Sequence, residues 1–297
     1  MDMTTLLQEV EAKRRNAWQG TVLCTLMGIA PVALLLFKLP VVAFIVLALV
    51  VLYYLFVVRP DQKKYQDAFL RANLQASLSP LLEEAAYQGS AGVPREELFA
   101  CRLLPIREED SCLTFHRLTG QSRGLEVELT DATFRLEDPD EKGRPRFFSG
   151  CWARVKLYRP AGTRARLVTA DLIPPEALTP WYEEKLGLSP CSLEPHRAAR
   201  VFTAWGEKNA PPLTQSVLGH LMDLREKKDL PLAVALEEDC LTAFFPRRFL
   251  APGAPSCRQP VTQGMLLRSP LPELEELLKT ALACARAAGP GSPREEP

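Results

Sequence analysis

The sequence predicts an α+β protein in which two N-terminal transmembrane helices form a hairpin and precede a soluble domain with a mainly antiparallel sheet and flanking helices. Three observations carry this. The stretch from Thr21 to Val58 holds one charged residue, Lys38. Between Glu97 and about Pro174 apolar and polar residues tend to alternate with the period of a strand. Helical stripes return at Leu213–Lys228 and Pro272–Ala288, so strands and helices are not in strict βαβ order.

The apolar stretch is too long for one span. As a single helix its 38 residues would reach about 57 Å, nearly twice the hydrocarbon core of a bilayer. Splitting it at Lys38–Pro40 gives Thr21–Phe37 and Val41–Val58, each near the lower limit for crossing. Pro40 and Lys38 suit a tight turn at the far interface, and Pro31 is placed to kink the first span. A cleaved signal peptide fits less well, because a second span follows at once and no small-x-small site ends the first. Lys13, Arg14 and Arg15 precede the hairpin, and Arg59, Lys63, Lys64 and Arg71 follow it. The positive-inside rule therefore puts both termini in the cytoplasm of a multi-pass protein. Trp18, Tyr53 and Tyr54 suit aromatic anchors at the same interface.

The next segments follow in order. Asp61–Leu82 reads as an amphipathic stalk helix with Tyr65, Phe69, Leu70, Asn73, Leu74 and Leu78 mostly on one stripe. Strands are expected at Cys112–Leu118, Gly124–Leu129, Thr133–Glu137, Arg146–Leu157 and Ala165–Ile173. Turns are expected at Thr119-Gly120, Asp138–Gly143 and Arg159–Gly162. Pro175–Leu186 is a short helix opened by proline, and Arg200–Trp205 a strand. Leu213–Lys228 is an amphipathic helix. Leu230–Glu237 and Cys240–Pro246 form a hairpin, and Pro272–Ala288 is the closing helix. The domain plan is therefore residues 1–20 as a cytoplasmic N-terminal segment, 21–58 as the hairpin and 59–85 as the stalk. Residues 86–288 form the soluble domain, expected to fold without the stalk, and 289–297 a disordered tail.

Composition narrows the function. The net charge is zero and the part after the hairpin is near neutral, so nucleic acid, which needs a concentrated basic footprint, is not an expected partner. The eight cysteines, Cys24, Cys101, Cys112, Cys151, Cys191, Cys240, Cys257 and Cys284, include no CxxC pair. Their irregular spacing reads as free thiols in a reducing compartment, with an external disulfide-bearing domain as the rival.

No motif survives a test of spacing. Cys112 and His116 would share a metal on a helix, but on a strand four residues span about 13 Å. Cys191 and His196 lie in one loop without a second pair of ligands, and His220 reads as a boundary residue of its helix. The GxSxG at Gly120–Gly124 is followed by the strand-like LEVELT, so Ser122 sits in a hairpin turn rather than a strand-to-helix elbow. Cys151 reads as a half-buried strand thiol with no positioned base. The carboxylates from Glu137 to Glu141 read as a solvated turn. Pro246-Arg247-Arg248-Phe249 is a basic-aromatic strand end whose alternative is contact with anionic lipid or an acidic partner. The sequence thus assigns no catalytic, cofactor-binding or metal-ligating residue and calls for no cofactor.

Local patterns from about Tyr65 to the closing helix resemble a bacterial membrane-anchored family known as domain of unknown function 3137. They are Leu81-Leu82 with Tyr87-Gln88-Gly89, then Pro94 with Leu98-Phe99, then Glu109-Asp110 ahead of Gly120, and Leu125–Leu129. The most telling are Phe148-Ser149-Gly150-Cys151-Trp152, and Arg166-Leu167-Val168 with Asp171 downstream. The resemblance implies two spans before a soluble domain in a bacterial inner membrane, and it carries over no catalytic residue. The function expected is a non-enzymatic interaction or scaffold module at that membrane. Its partners are the lipid bilayer and a protein, or a second copy through spans and stalk. The alternatives are a membrane-bound enzyme with a site assembled from scattered residues, or a transport accessory. A transporter proper is disfavoured because the spans hold no ionisable group besides Lys38.

Overall fold

The structure, a computed structural model, describes residues 3–137, 146–159, 163–193, 196–208, 213–237, 239–248, 254–269 and 272–287. It opens with α1 (Met3–Met27), α2 (Ile29–Leu36), α3 (Pro40–Tyr53), a π-helical turn (Tyr54–Val58) and α4 (Arg59–Leu78). Then come β1 (Glu83–Gln88), α5 (Arg95–Ala100), β2 (Ser111–Ser122), β3 (Leu125–Leu136), β4 (Arg146–Lys156), β5 (Ala165–Thr169) and α6 (Pro175–Leu186). The rest is β6 (Ser189–Cys191), α7 (His196–Ala199), β7 (Phe202–Gly206), α8 (Gln215–Lys228), β8 (Ala233–Leu236), β9 (Cys240–Phe245), α9 (Gln263–Leu267) and α10 (Leu274–Ala287). The chain is α+β, and it divides into two compact units: Met1–Ser79 with Pro252–Pro270, and Pro80–Ala251 with Leu271–Pro297.

The first unit is helical. Its two helical stretches, Met3–Leu36 and Pro40–Leu78, are long and apolar enough to cross a membrane. The first breaks at Gly28, three residues before Pro31, which has no N–H for the Met27 carbonyl and whose ring crowds it. Lys38, at φ 58°, closes the turn, and Pro40 opens α3 at a position where a missing N–H costs nothing. Leu26, Val32, Leu36, Phe44 and Phe56 stand exposed along these stretches.

Outside the apolar stretch α1 and α4 pack on each other and on residues 254–269. Leu6, Val10 and Ala17 of α1, Tyr65, Phe69, Ala72 and Ala76 of α4, and Val261 and Leu266 form one buried cluster. Polar groups hold the strap in register. The Asn73 amide donates to the carbonyls of Met265, Leu266 and Arg268 at 3.2, 2.9 and 2.8 Å. Tyr65 Oη donates to Pro255 O at 3.0 Å, and Val261 N–H to Glu11 at 3.2 Å. Arg14 bonds both Glu11 and the Cys257 carbonyl. The sequence pattern assigns this strap to the soluble domain, because its apolar residues are few and its partners lie about two hundred residues away. The pattern also gives residues 1–20 no fold, whereas α1 runs through them from Met3.

The second unit is a sheet unit. Among the described residues its sheet has nine strands, in the order β1-β2-β3-β4-β9-β8-β5-β7-β6, with every neighbouring pair antiparallel. The expected turn at Thr119-Gly120 is instead strand, since Gly120 pairs with Val127 inside β2. The true turn is Arg123-Gly124, with φ 51° and 78°, the positive pair a tight two-residue hairpin requires. The two strands expected at Gly124–Leu129 and Thr133–Glu137 are one, β3. Its middle residues Thr130, Asp131 and Ala132 are fully buried, and Thr130 Oγ1 donates to Phe115 O at 3.0 Å. β1, α5, β6, α7 and α9 were not expected; each is short, below the length at which periodicity can be read. Helix α6 and the β8–β9 hairpin stand where the sequence placed them. The expected turn at Asp138–Gly143, the tail at 289–297 and Phe249 lie outside the described residues.

One face of the sheet carries the main core. Ala132 and Phe134, Trp152, Phe244, Ala233 and Val168 meet Leu98 of α5, Leu178 and Tyr182 of α6, and Trp205 of β7. Tyr182 Oη donates to Leu103 O at 2.6 Å, and its ring meets Trp205 edge-on at 4.9 Å, tying α6 to the residues after α5. Residues of opposite parity, among them Leu129, Cys151, Ala153, Val234 and Ala243, are buried on the second face.

Candidate functional site

Strand register makes the first face change character along its length. One cross-strand row, Thr130, Trp152, Phe244, Ala233 and Val168, is buried and mostly apolar. The next row, two residues on, is Glu128, Arg154, Thr242, Ala235 and Arg166. Beyond it Glu126 pairs with Lys156, which pairs with Cys240. The same strands that build the core thus turn polar on one side only, while Val127, Val155 and Leu241 on the second face stay buried.

Glu128, Arg154 and Thr242 of this row, with Trp152, floor a cleft of about 690 Å³. Glu97 and Leu98 of α5, with Cys101 and Arg102 after it, make one wall. Lys185 and Leu186 at the end of α6 make another, and Arg164, Glu237 and Asp239 close the rim. An adjoining hollow of about 570 Å³ shares Glu128, Arg154 and Asp239 and adds Arg117, Glu126 and Lys156. Arg102 holds a positive φ, 45°, and its guanidinium caps the Lys185 carbonyl at the C-terminal turn of α6. Two walls are thereby joined through one side chain.

The cleft is lined by both signs of charge. Arg102, Arg154, Arg164 and Lys185 face Glu97, Glu128, Glu237 and Asp239. Arg154 pairs with Glu97 at 3.2 Å, and Arg117 with Glu128 at 2.6 Å. Glu237 receives Arg164 at 3.5 Å and also the guanidinium of Arg166, which is wholly buried and donates to the Cys101 carbonyl at 2.9 Å. Arg166 therefore anchors the wall after α5 to the rim after β8.

Two thiols lie in the cleft. Burial pushes Cys101 up to about 11, against the attraction of the Arg166 charge. Burial also raises Cys240, with Arg154 opposing. Both are protonated at neutral pH, whereas a nucleophilic cysteine needs its thiolate.

The residues weighed from sequence are scattered. Ser122 ends β2 and pairs with Leu125 across the hairpin, so the strand–turn–strand context stands and no elbow forms. Cys112 packs beside the main core, while His116 receives or gives a hydrogen bond with Tyr87 Oη at 2.5 Å. Cys191 is exposed on β6; the His196 side chain is outside the described residues. Burial holds Cys151 well above the usual thiol range, with Asp131 and Glu273 adding to the effect. Arg247 and Arg248 are exposed, and Arg248 lies 5.1 Å over the Phe115 ring. His220, which reads as a boundary residue of its helix, is half-buried beside Asp223 and Glu276. The cleft residues were missed. The one sequence signal near them is Arg166, a charge inside the apolar run ARLVT, which lies behind the cleft and bonds its rim residue Glu237.

No family model matches the chain, and no curated protein matches it. Among solved structures it is similar to the crystal structure of the mycobacterial trehalose monomycolate transport factor A, TtfA. The identity is 10% and the TM-score 0.38, over 76% of this chain and 98% of that one. A likeness of this size supports neither a fold nor an activity for the chain.

Proposed function

We propose that the chain is an interaction module of a bacterial inner membrane, anchored by its helical hairpin with both termini cytoplasmic, and that the cleft takes a mixed-charge segment of a partner protein. The observation that carries the binding role is the cleft itself: paired charges of both signs beside Trp152 and Leu98, with its thiols protonated. Such a surface recognises a polypeptide with alternating charge better than a polyanion, because each exposed pair can exchange partners at small cost. The bacterial setting rests on the resemblance of the local motifs to family 3137, and the orientation on the flanking basic residues.

Alkaline phosphatase fused after Lys38 is expected to be active and the same fusion at the C-terminus inactive; the reverse pattern overturns the orientation. A photo-crosslinking residue at Lys185 in the producing cell is expected to give a discrete adduct. The same residue at exposed Glu176 should not, and Arg154→Glu should abolish the adduct at Lys185. Equal adducts at both positions, none at either, or indifference to Arg154→Glu would remove the cleft as the binding surface.

A further inference from the structure

We propose that α8 and α10 carry a divalent transition-metal site, of the zinc class, formed by His220, Asp223 and Glu276. His220 and Asp223 stand three residues apart on α8, hence on one face of it. Glu276 comes from the first turns of α10, which packs against α8. One ring nitrogen of His220 and one carboxylate oxygen from each acid lie within 4.8 Å of one another. A metal with ligands at about 2.0–2.2 Å draws such atoms to roughly 3–4 Å apart, so side-chain adjustment of under about 1 Å closes the set.

The donor chemistry selects the ion. Two carboxylates neutralise a divalent charge, and an imidazole favours zinc or cobalt(II) over calcium or magnesium. Glu276 is buried, at 8% exposure, which is costly for a carboxylate unless a cation answers it. Lys279 does so at 3.1 Å, but it also reaches Glu275 at 3.0 Å and is itself part-exposed, so it can yield Glu276 and keep Glu275. Of the three ligands only His220 borders a hollow of about 480 Å³, shared with Thr214, Ser216 and Lys279, so solvent reaches the set from the His220 side. Arg123 and Arg286 on that hollow weigh against a cation, so binding rests on the direct ligands. None of the three ligands lines the cleft, and the site would pin one helix to the other.

The test uses the full-length chain in detergent, with its accessible cysteines blocked by N-ethylmaleimide and metal removed by a chelator. Cobalt(II) titration is expected to show one equivalent bound, with visible d–d bands and no thiolate charge-transfer band. Zinc should raise the thermal midpoint. His220→Ala and Glu276→Gln should each weaken binding by about tenfold or more and abolish the zinc-induced shift. Glu226→Gln, exposed on the same helix, should change neither. A variant that fails to fold shows it in its metal-free melting curve, and Asp223→Asn then replaces it. Absence of stoichiometric binding, or binding retained in the folded variants, overturns the proposal.

Discussion

Gly150→Ala is expected to destabilise the sheet unit by about 3 kcal/mol or more, the upper end for overpacking a rigid core. A Cβ at Gly150 would lie 1.9 Å from the Phe245 carbonyl oxygen and 2.8 Å from the Phe244 ring. Neither neighbour can give way cheaply. β4 is paired on one side with β3, Gly150 opposite Ala132, and on the other Cys151 N–H donates to Arg247 O at 3.0 Å. The control is Gly219→Ala on α8, where an added Cβ meets open space and should stabilise by about 0.5–1 kcal/mol. Urea or thermal unfolding of the full chain in detergent reads both. A loss below about 1 kcal/mol at Gly150 would show that β9 moves aside, and the close approach would then place no demand on the residue.

Arg166→Ala is expected to cost about 3 kcal/mol, the lower end for breaking a buried ion pair. The lower end applies because Glu237 is part-exposed and keeps Arg164 at 3.5 Å. The carbonyls of Cys101 and Ala165 also lose their donor. Arg166→Met combined with Glu237→Leu should recover most of the stability, since a buried pair and an apolar pair of similar volume are often equivalent. That double variant should still lose the crosslink at Lys185, because the rim charge is gone. If Arg166→Ala unfolds within about 1 kcal/mol of the wild type, the guanidinium is not what joins the wall to the rim.

What could be read from the sequence followed the length of each signal. The hairpin is legible because 38 residues with one charge favour apolar surroundings along their whole length, and α6 because a proline opens it. β3 reads as two segments, Gly124–Leu129 and Thr133–Glu137, in the sequence; the burial of Thr130 and Asp131 between them depends on β2 and β4, which no local pattern reports. The cleft was illegible for a related reason. Glu128, Arg154 and Thr242 are ordinary polar positions of three strands, and they become one row only through a register that joins β4 to β9 across about ninety residues. The grouping of His220 with Asp223 and Glu276 needs the α8–α10 contact in the same way. Arg166 alone stood out locally, and it entered only as part of a family pattern.

The strap on α1 and α4 sets an order of events during synthesis. Tyr65 waits for Pro255, 190 residues later, and Glu11 for Val261, 250 residues later. At about 5–20 residues per second the first of these waits lasts roughly 10–40 s. Through that interval the stripe of Leu6, Val10, Tyr65 and Phe69 has been made but its cover has not. A chain released after Leu78 but before residue 254 keeps both apolar helices and lacks the cover. Such a product presents uncapped apolar side chains next to two helices apolar enough to cross a membrane, the kind of surface that chaperones and proteases engage. The helical unit therefore becomes complete only after residues 254–269 have been made, so its closed cluster reports that the strands from β1 to β9 already exist.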